Sequence, residues 1–161
     1  MKRVLFTAVF VLIAQTCIAQ ANGVAASEAA VTMESARALA AKGRLDAALV
    51  QLDALAKLTP EPVGVERLRG MILYQKDQFD AAAAAFARAQ TQDAADRESA
   101  EMQGVSLFRM GRVREAIPLL ERGRTPVESA NVDPNYVLAL CYADVGRYDD
   151  ARRAFAAQFG F

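Results

Sequence analysis

Apolar and small residues recur along most of this chain at helical spacing, and short polar turns interrupt them at regular intervals. The pattern is clearest from Gly70 to Phe86, GMILYQKDQFDAAAAAF. Two apolar-patterned stretches meet there across a turn at Lys76-Asp77, with Gly70 and Ala82 small where the stretches would face each other. The same unit repeats. Gly43, Asp77, Gly111 and Gly146 hold equivalent turns, 34, 34 and 35 residues apart. Five residues beyond each stands an alanine (Ala48, Ala82, Ala116, Ala151), and four beyond each alanine a large apolar residue (Leu52, Phe86, Leu120, Phe155). Seven residues before each turn stands a small residue (Ala36, Gly70, Gly104, Ala139), followed three later by Leu39, Leu73, Leu107 or Tyr142. A fixed period of this length is the mark of stacked units, each burying its apolar face on the next.

Each column has a physical reason. The turn favours a residue that tolerates positive φ, Gly above all, with Asp among the more tolerant replacements. Small residues let two antiparallel helices approach closely, and the large ones fill the layer one helical turn away. The pattern predicts a first helix from Ser27 or Glu28 to near Lys42. A second runs from Leu45 to Leu58, where Thr59-Pro60-Glu61-Pro62 breaks it. Helices are expected near 63–76 and 79–91, the latter carrying the helix-favouring run Ala81 to Ala85. Asp93 and Asp96 are cap candidates for a helix ending near Met110. Its partner, about 113–123, contains Pro118 and should bend slightly there. Gly123 to Pro134 is the longest irregular stretch, and a last pair runs from Asp133 to about Phe159.

The period and the columns resemble the tetratricopeptide repeat, whose pattern is W-x2-L-G-x2-Y…A-x3-F…P. The resemblance covers residues 29 to 161. The departures from that pattern are specific: no Trp occurs, the closing Pro is clear only as Pro60, Pro126 comes two residues early, and Gly123 stands where a bulkier small residue is usual. The resemblance implies an all-α fold, a right-handed α-solenoid of about four helix-turn-helix repeats, near 29–62, 63–96, 97–130 and 132–161.

The chain opens with a different pattern. Lys2-Arg3 precedes an apolar run of 11 residues, Val4 to Ala14, and then Ala19-Gln20-Ala21. A basic start, an apolar middle and an A-x-A site read as a secretory signal peptide, residues 1–21, cleaved near Ala21 or Ala19. Residues 22–28 form a lead-in. The apolar run is too short to span a bilayer. An uncleaved anchor and a lipoprotein acylated at Cys17 are the alternatives, though Ala14-Gln15-Thr16 fits a lipoprotein box poorly. The destination is periplasmic or secreted.

Removing the leader changes the charge and the cysteine count. The whole chain balances 19 Lys and Arg against 19 Asp and Glu. The leader takes two basic residues and no acid, leaving a net charge of about −2, which disfavours nucleic acid as a partner. Cys141 is then the only cysteine, so no internal disulfide forms. Its setting between Leu140 and Tyr142 reads as a buried structural thiol.

Catalytic constellations are lacking. The sequence has no His, and with it goes the commonest general base and metal ligand. No phosphate-binding glycine loop or nucleophile motif occurs, and no cofactor or metal site is expected. Acidic pairs such as Asp149-Asp150 suit the polar start of a helix. Function must come from the surface. In a stack of the resembled family the first helices line the concave face. The helical wheel places Met33 and Arg37 there, with Arg67, Met71, Tyr74 and Gln75. The third repeat adds Glu98, Glu101, Phe108 and Arg109, and the fourth Tyr136, Leu140 and Asp144. Aromatic, Arg and Met groups together suit peptide binding. Met71, Phe108 and Leu140 are equally good candidates for the core between repeats. A subclass of the family grips a C-terminal carboxylate with Lys and Asn, and the matching Met33 and Arg37 disfavour that mode.

The chain ends Phe159-Gly160-Phe161, with no further helix to cover the last one. Either these rings fold back on the last pair, or they form an apolar end that docks a partner. The expected function is an exported scaffold that binds a peptide segment or helix of an envelope partner in its groove. The alternative is a self-associating module that forms weak homodimers through its C-terminal end.

Overall fold

The computed structural model describes residues 31–123 and 133–159. The chain divides into residues 1–31 and residues 32–161. The expected leader and lead-in, Phe161 and most of the stretch between Gly123 and Pro134 lie outside the described residues. From Thr32 onward the regular structure is helical throughout the described residues. The helices are α1 (Met33–Ala41), α2 (Leu45–Leu55), α3 (Val65–Gln75), α4 (Phe79–Gln92), α5 (Arg97–Arg109), α6 (Val113–Gly123), α7 (Pro134–Asp144) and α8 (Tyr148–Phe159). They form four antiparallel pairs, the all-α stack that the repeat columns predict.

The four turns share one hydrogen-bonded form. At each, the residue with positive φ donates to the carbonyl three back, and the next residue donates to the carbonyl five back. In the second repeat Asp77 N–H reaches Tyr74 O at 3.0 Å and Gln78 N–H reaches Leu73 O at 2.9 Å. Arg44, Arg112 and Arg147 make the latter bond to Leu39, Leu107 and Tyr142. The first helix of each pair thereby satisfies its last carbonyls before the second begins. This backbone geometry requires the turn residue in the left-handed region. Three turns use Gly there and the second uses Asp77, at φ 57°.

Helix ends depart from expectation in two places. The first helix begins at Met33, not near Ser27, because Thr32 is extended (φ −133°, ψ 158°) and caps it. Ser35 N–H donates to the Thr32 hydroxyl at 3.1 Å, while the Ser35 hydroxyl oxygen accepts from Thr32 N–H at 3.2 Å. This reciprocal pair fixes a helix start. The second helix ends at Leu55, ahead of the Pro60 break, with a last turn closed by Leu58 N–H on Leu55 O. Asp96 caps α5 as expected, accepting from Ser99 N–H at 3.0 Å. Helix α6 continues through Pro118, whose ring is exposed.

The small columns decide how closely each pair packs. A methyl group at Gly70 would lie 2.7 Å from the Phe86 ring, and one at Gly104 2.8 Å from Leu120. Ala36, Ala48, Leu52, Ala82, Phe86 and Ala116 are fully enclosed. Apolar clusters run from one repeat into the next: Leu52 and Leu55 pack with Val65 and Ile72, and Ala82 and Phe86 with Met102. The backbones of the first helices come close across repeats, α1 to α3, α3 to α5 and α5 to α7, whereas those of the second helices stay farther apart, with the long Arg122 side chain of α6 reaching across to Gln90 of α4. The stack therefore curves with the first helices on its inner side.

Candidate partner-binding face

The inner face consists of whatever the first helices leave uncovered. Arg37, Gln75, Arg109, Tyr136 and Asp144 are exposed there. Arg67 and Glu98 are half-buried and tie neighbouring repeats: the Arg67 guanidinium lies 3.5 Å from Glu98 and 3.6 Å from Asp96. Met33, Met71, Phe108 and Leu140 are half-buried, and the first three pack on the core beneath. Met71 packs on the Phe86 cluster and Phe108 on the cluster of repeats three and four.

Tyr74 and Arg109, on the first helices of neighbouring repeats, come together through a residue of the outer layer. The Arg109 guanidinium sits 4.5 Å above the Phe79 ring, and Tyr74 meets the same ring edge-on at 5.3 Å. Arg109 also lies 3.8 Å from Asp77. Tyr74 thus belongs to a packed group and not to the free surface that the helical wheel suggests. Its hydroxyl is buried without a hydrogen-bond partner. At the far end, Tyr136 stays 41% exposed although its ring meets Phe155 edge-on at 5.8 Å.

Glu101 is the larger correction. The wheel puts it on the open face, yet it is 1% exposed. The cause is Gly123 at the end of α6: a methyl group there would come 2.7 Å from the Glu101 Cβ. Glycine at that position, an oddity by the repeat pattern, lets α6 close over Glu101. Burial, then the like charges of Asp133 and Glu98, push the carboxyl up to about 7. Its Oε2 has no hydrogen-bond partner.

Sequence reasoning missed a second buried carboxylate. Glu66, 5% exposed, accepts from Arg69 Nε at 3.0 Å and from Arg88 Nε at 2.7 Å, and Arg69 also pairs with Asp53. The network joins α2, α3 and α4. The i, i+3 pair Glu66 and Arg69 was the one readable sign of it. A further side-chain cluster stands at the last turn, where Tyr142 donates to the exposed Glu121 at 2.5 Å and the Arg147 guanidinium lies 4.4 Å from the Tyr142 ring. Cys141 is buried as expected, and burial together with Asp144 pushes its thiol up to about 11, far from a reactive thiolate.

At the C-terminal end Ala151 and Ala154 are buried and Phe155 is half-buried, as the repeat columns predict. Phe159 closes α8. Among the described residues, no helix is long and apolar enough to cross a membrane, and no group of three or more Cys, Asp or Glu side chains is placed to hold a metal ion.

A family model described as anaphase-promoting complex, cyclosome, subunit 3 matches residues 75–157, and one described as tetratricopeptide repeat matches residues 33–97. No curated protein matches the chain. Several solved structures do. A crystal structure of MamA is 22% identical over 77% of this chain and 72% of its own, with a TM-score of 0.67. MamA from Desulfovibrio magneticus RS-1 is 16% identical over 77% of this chain and 70% of its own, with a TM-score of 0.65. YrrB, described as a TPR protein with an unusual peptide-binding site, is 22% identical over 76% of this chain, with a TM-score of 0.67. The aligned part spans 62% of the YrrB chain. At these identities the likeness is one of fold.

Proposed function

Because the chain belongs to the tetratricopeptide-repeat family, we propose that it is an exported, non-enzymatic interaction scaffold that binds a peptide segment or helix of an envelope partner. The observation that carries this reading is the inner face itself. Four first helices in mutual contact present Arg37, Gln75, Arg109, Tyr136 and Asp144 outward over a floor of Met33, Met71, Phe108 and Leu140. Exposed Arg and Tyr above partly covered apolar groups is the composition of a protein-binding surface. Arg67 and Tyr74 contribute at its margin, one through its free edge and the other by holding Phe79 beneath Arg109. The leader pattern of residues 1–21, the lead-in at 22–28 and a repeat domain over 29–161 support export to the periplasm or beyond.

The experiment is a comparative capture from periplasmic extract. Arg37 and Gln75 are exposed, and a double Arg37→Ala, Gln75→Ala variant should melt like the wild type. It should lose at least one partner that the wild type retains. The same partners captured at the same yield by both proteins would contradict binding on this face.

A further inference from the structure

Glu101 lies where three helices meet. It is on the first turn and a half of α5, against Gly123 at the end of α6, and near Asp133, which starts α7. A buried carboxylate is normally paired or hydrogen-bonded. Here Oε2 has no partner, and among the described residues no Lys or Arg is paired with Glu101. Among the described residues, the charged groups whose fields act on it are acidic. Glu98 sits one turn earlier on α5 and Asp133 faces it from α7. On α6, the uncharged Gly123 packs directly against it. From α3, Arg67 reaches Glu98 and Asp96 instead of Glu101. Asp133 is itself committed: its Oδ1 accepts from Asn135 N–H at 2.8 Å and from Tyr136 N–H at 3.4 Å, capping α7.

We propose that Glu101 makes the docking of the last repeat sensitive to pH, its neutral carboxyl allowing α7 to seat on α5 and α6 and its ionised form loosening α7 and α8 from the stack. The buried oxygen has no donor to stabilise a negative charge, and that charge would face the Asp133 cap of α7. The direction follows from linkage. A carboxyl held up to about 7 in the folded state binds its proton more tightly there than in the opened state, where its ordinary value is 4.5. The contribution is fully favourable below about pH 4.5, falls as pH rises, and reaches its lower limit above about pH 7. A periplasm or external medium follows its surroundings in pH, so the end of the inner face would open and close with them.

Hydrogen exchange of the full chain, corrected for the intrinsic pH dependence of amide exchange, measures this repeat by repeat. Between pH 6 and pH 8.5, protection in α7 and α8 should fall about tenfold. From pH 4.5 up to about 7, opening becomes about tenfold easier for each tenfold fall in proton concentration. Protection in α3 and α4 should hold steady. The neutral isostere Glu101→Gln should abolish the difference and match or exceed the wild type at pH 8.5. Constant protection of α7 and α8 in the wild type would overturn the proposal, and so would an undiminished fall in Glu101→Gln. The wild-type profile decides even if the variant folds poorly. It is also independent of whether a partner binds the inner face.

Discussion

Phe86 is fully enclosed, and its ring occupies the space a side chain at Gly70 would need. Leucine at Gly70 gains roughly 1 kcal/mol of helix propensity. It must displace a fully enclosed ring, which costs roughly 1–3 kcal/mol or more when the neighbour cannot yield. Strain should win, and Gly70→Leu should lower unfolding stability by about 2 kcal/mol in a urea titration; an unchanged midpoint would contradict close packing. Removing Glu66 strands Arg69, which is largely buried, and Glu66→Ala should cost about 1–3 kcal/mol. Equal stability would mean the network is ornamental. These two residues differ in how readable they are. Gly70 announces itself because Ala36, Gly104 and Ala139 share its column. Glu66 does not, because Arg88 lies 22 residues away and faces it only once α3 and α4 have packed. Glu101 misleads outright: its column says surface, and only the close approach permitted by Gly123 buries it.

The helices and their turns were almost wholly legible, since period, small-residue columns and turn residues all point the same way. Asp77 shows the residual conflict. It holds φ 57° where the equivalent turns use Gly, at a cost that glycine would remove. Its ion pair with Arg109 is long and exposed and contributes little. Asp77→Gly should therefore raise stability by up to about 1 kcal/mol, whereas Asp77→Val should lower it by more; thermal melts of the two variants moving in the same direction would refute the turn assignment. At the start of α5, Asp96→Ala should cost about 1 kcal/mol through the lost cap. The helix ends were less legible. Thr32 starts α1 through a bond to Ser35 that competes with the helix-favouring residues before it, and nothing in the period marks where that competition is decided. The candidate site was legible as a face but not as contacts. A helical wheel assigns directions on an isolated helix, so it could not foresee that Tyr74 and Arg109 share the Phe79 ring.

For the molecule as a whole, function rests on where it goes and what it holds. Export predicts a mature N-terminus at Asn22, or next at Gln20, in mass spectrometry of the protein recovered outside the cytoplasm; Met1 on that protein would remove the cleaved-leader reading. Because each repeat is stabilised mainly by its neighbours, damage at Gly70 should spread to the flanking pairs, visible as lost exchange protection in α2 and α5. The inner face is the central claim, and site-specific photocrosslinking in cells tests it most directly. A photoreactive residue would replace Gln75 or Tyr136 on the first helices, and Val50 or Arg114 on the second, all four being exposed. Adducts to a partner protein from Gln75 and Tyr136, absent from Val50 and Arg114, are the predicted result. Adducts from the second helices alone would contradict it.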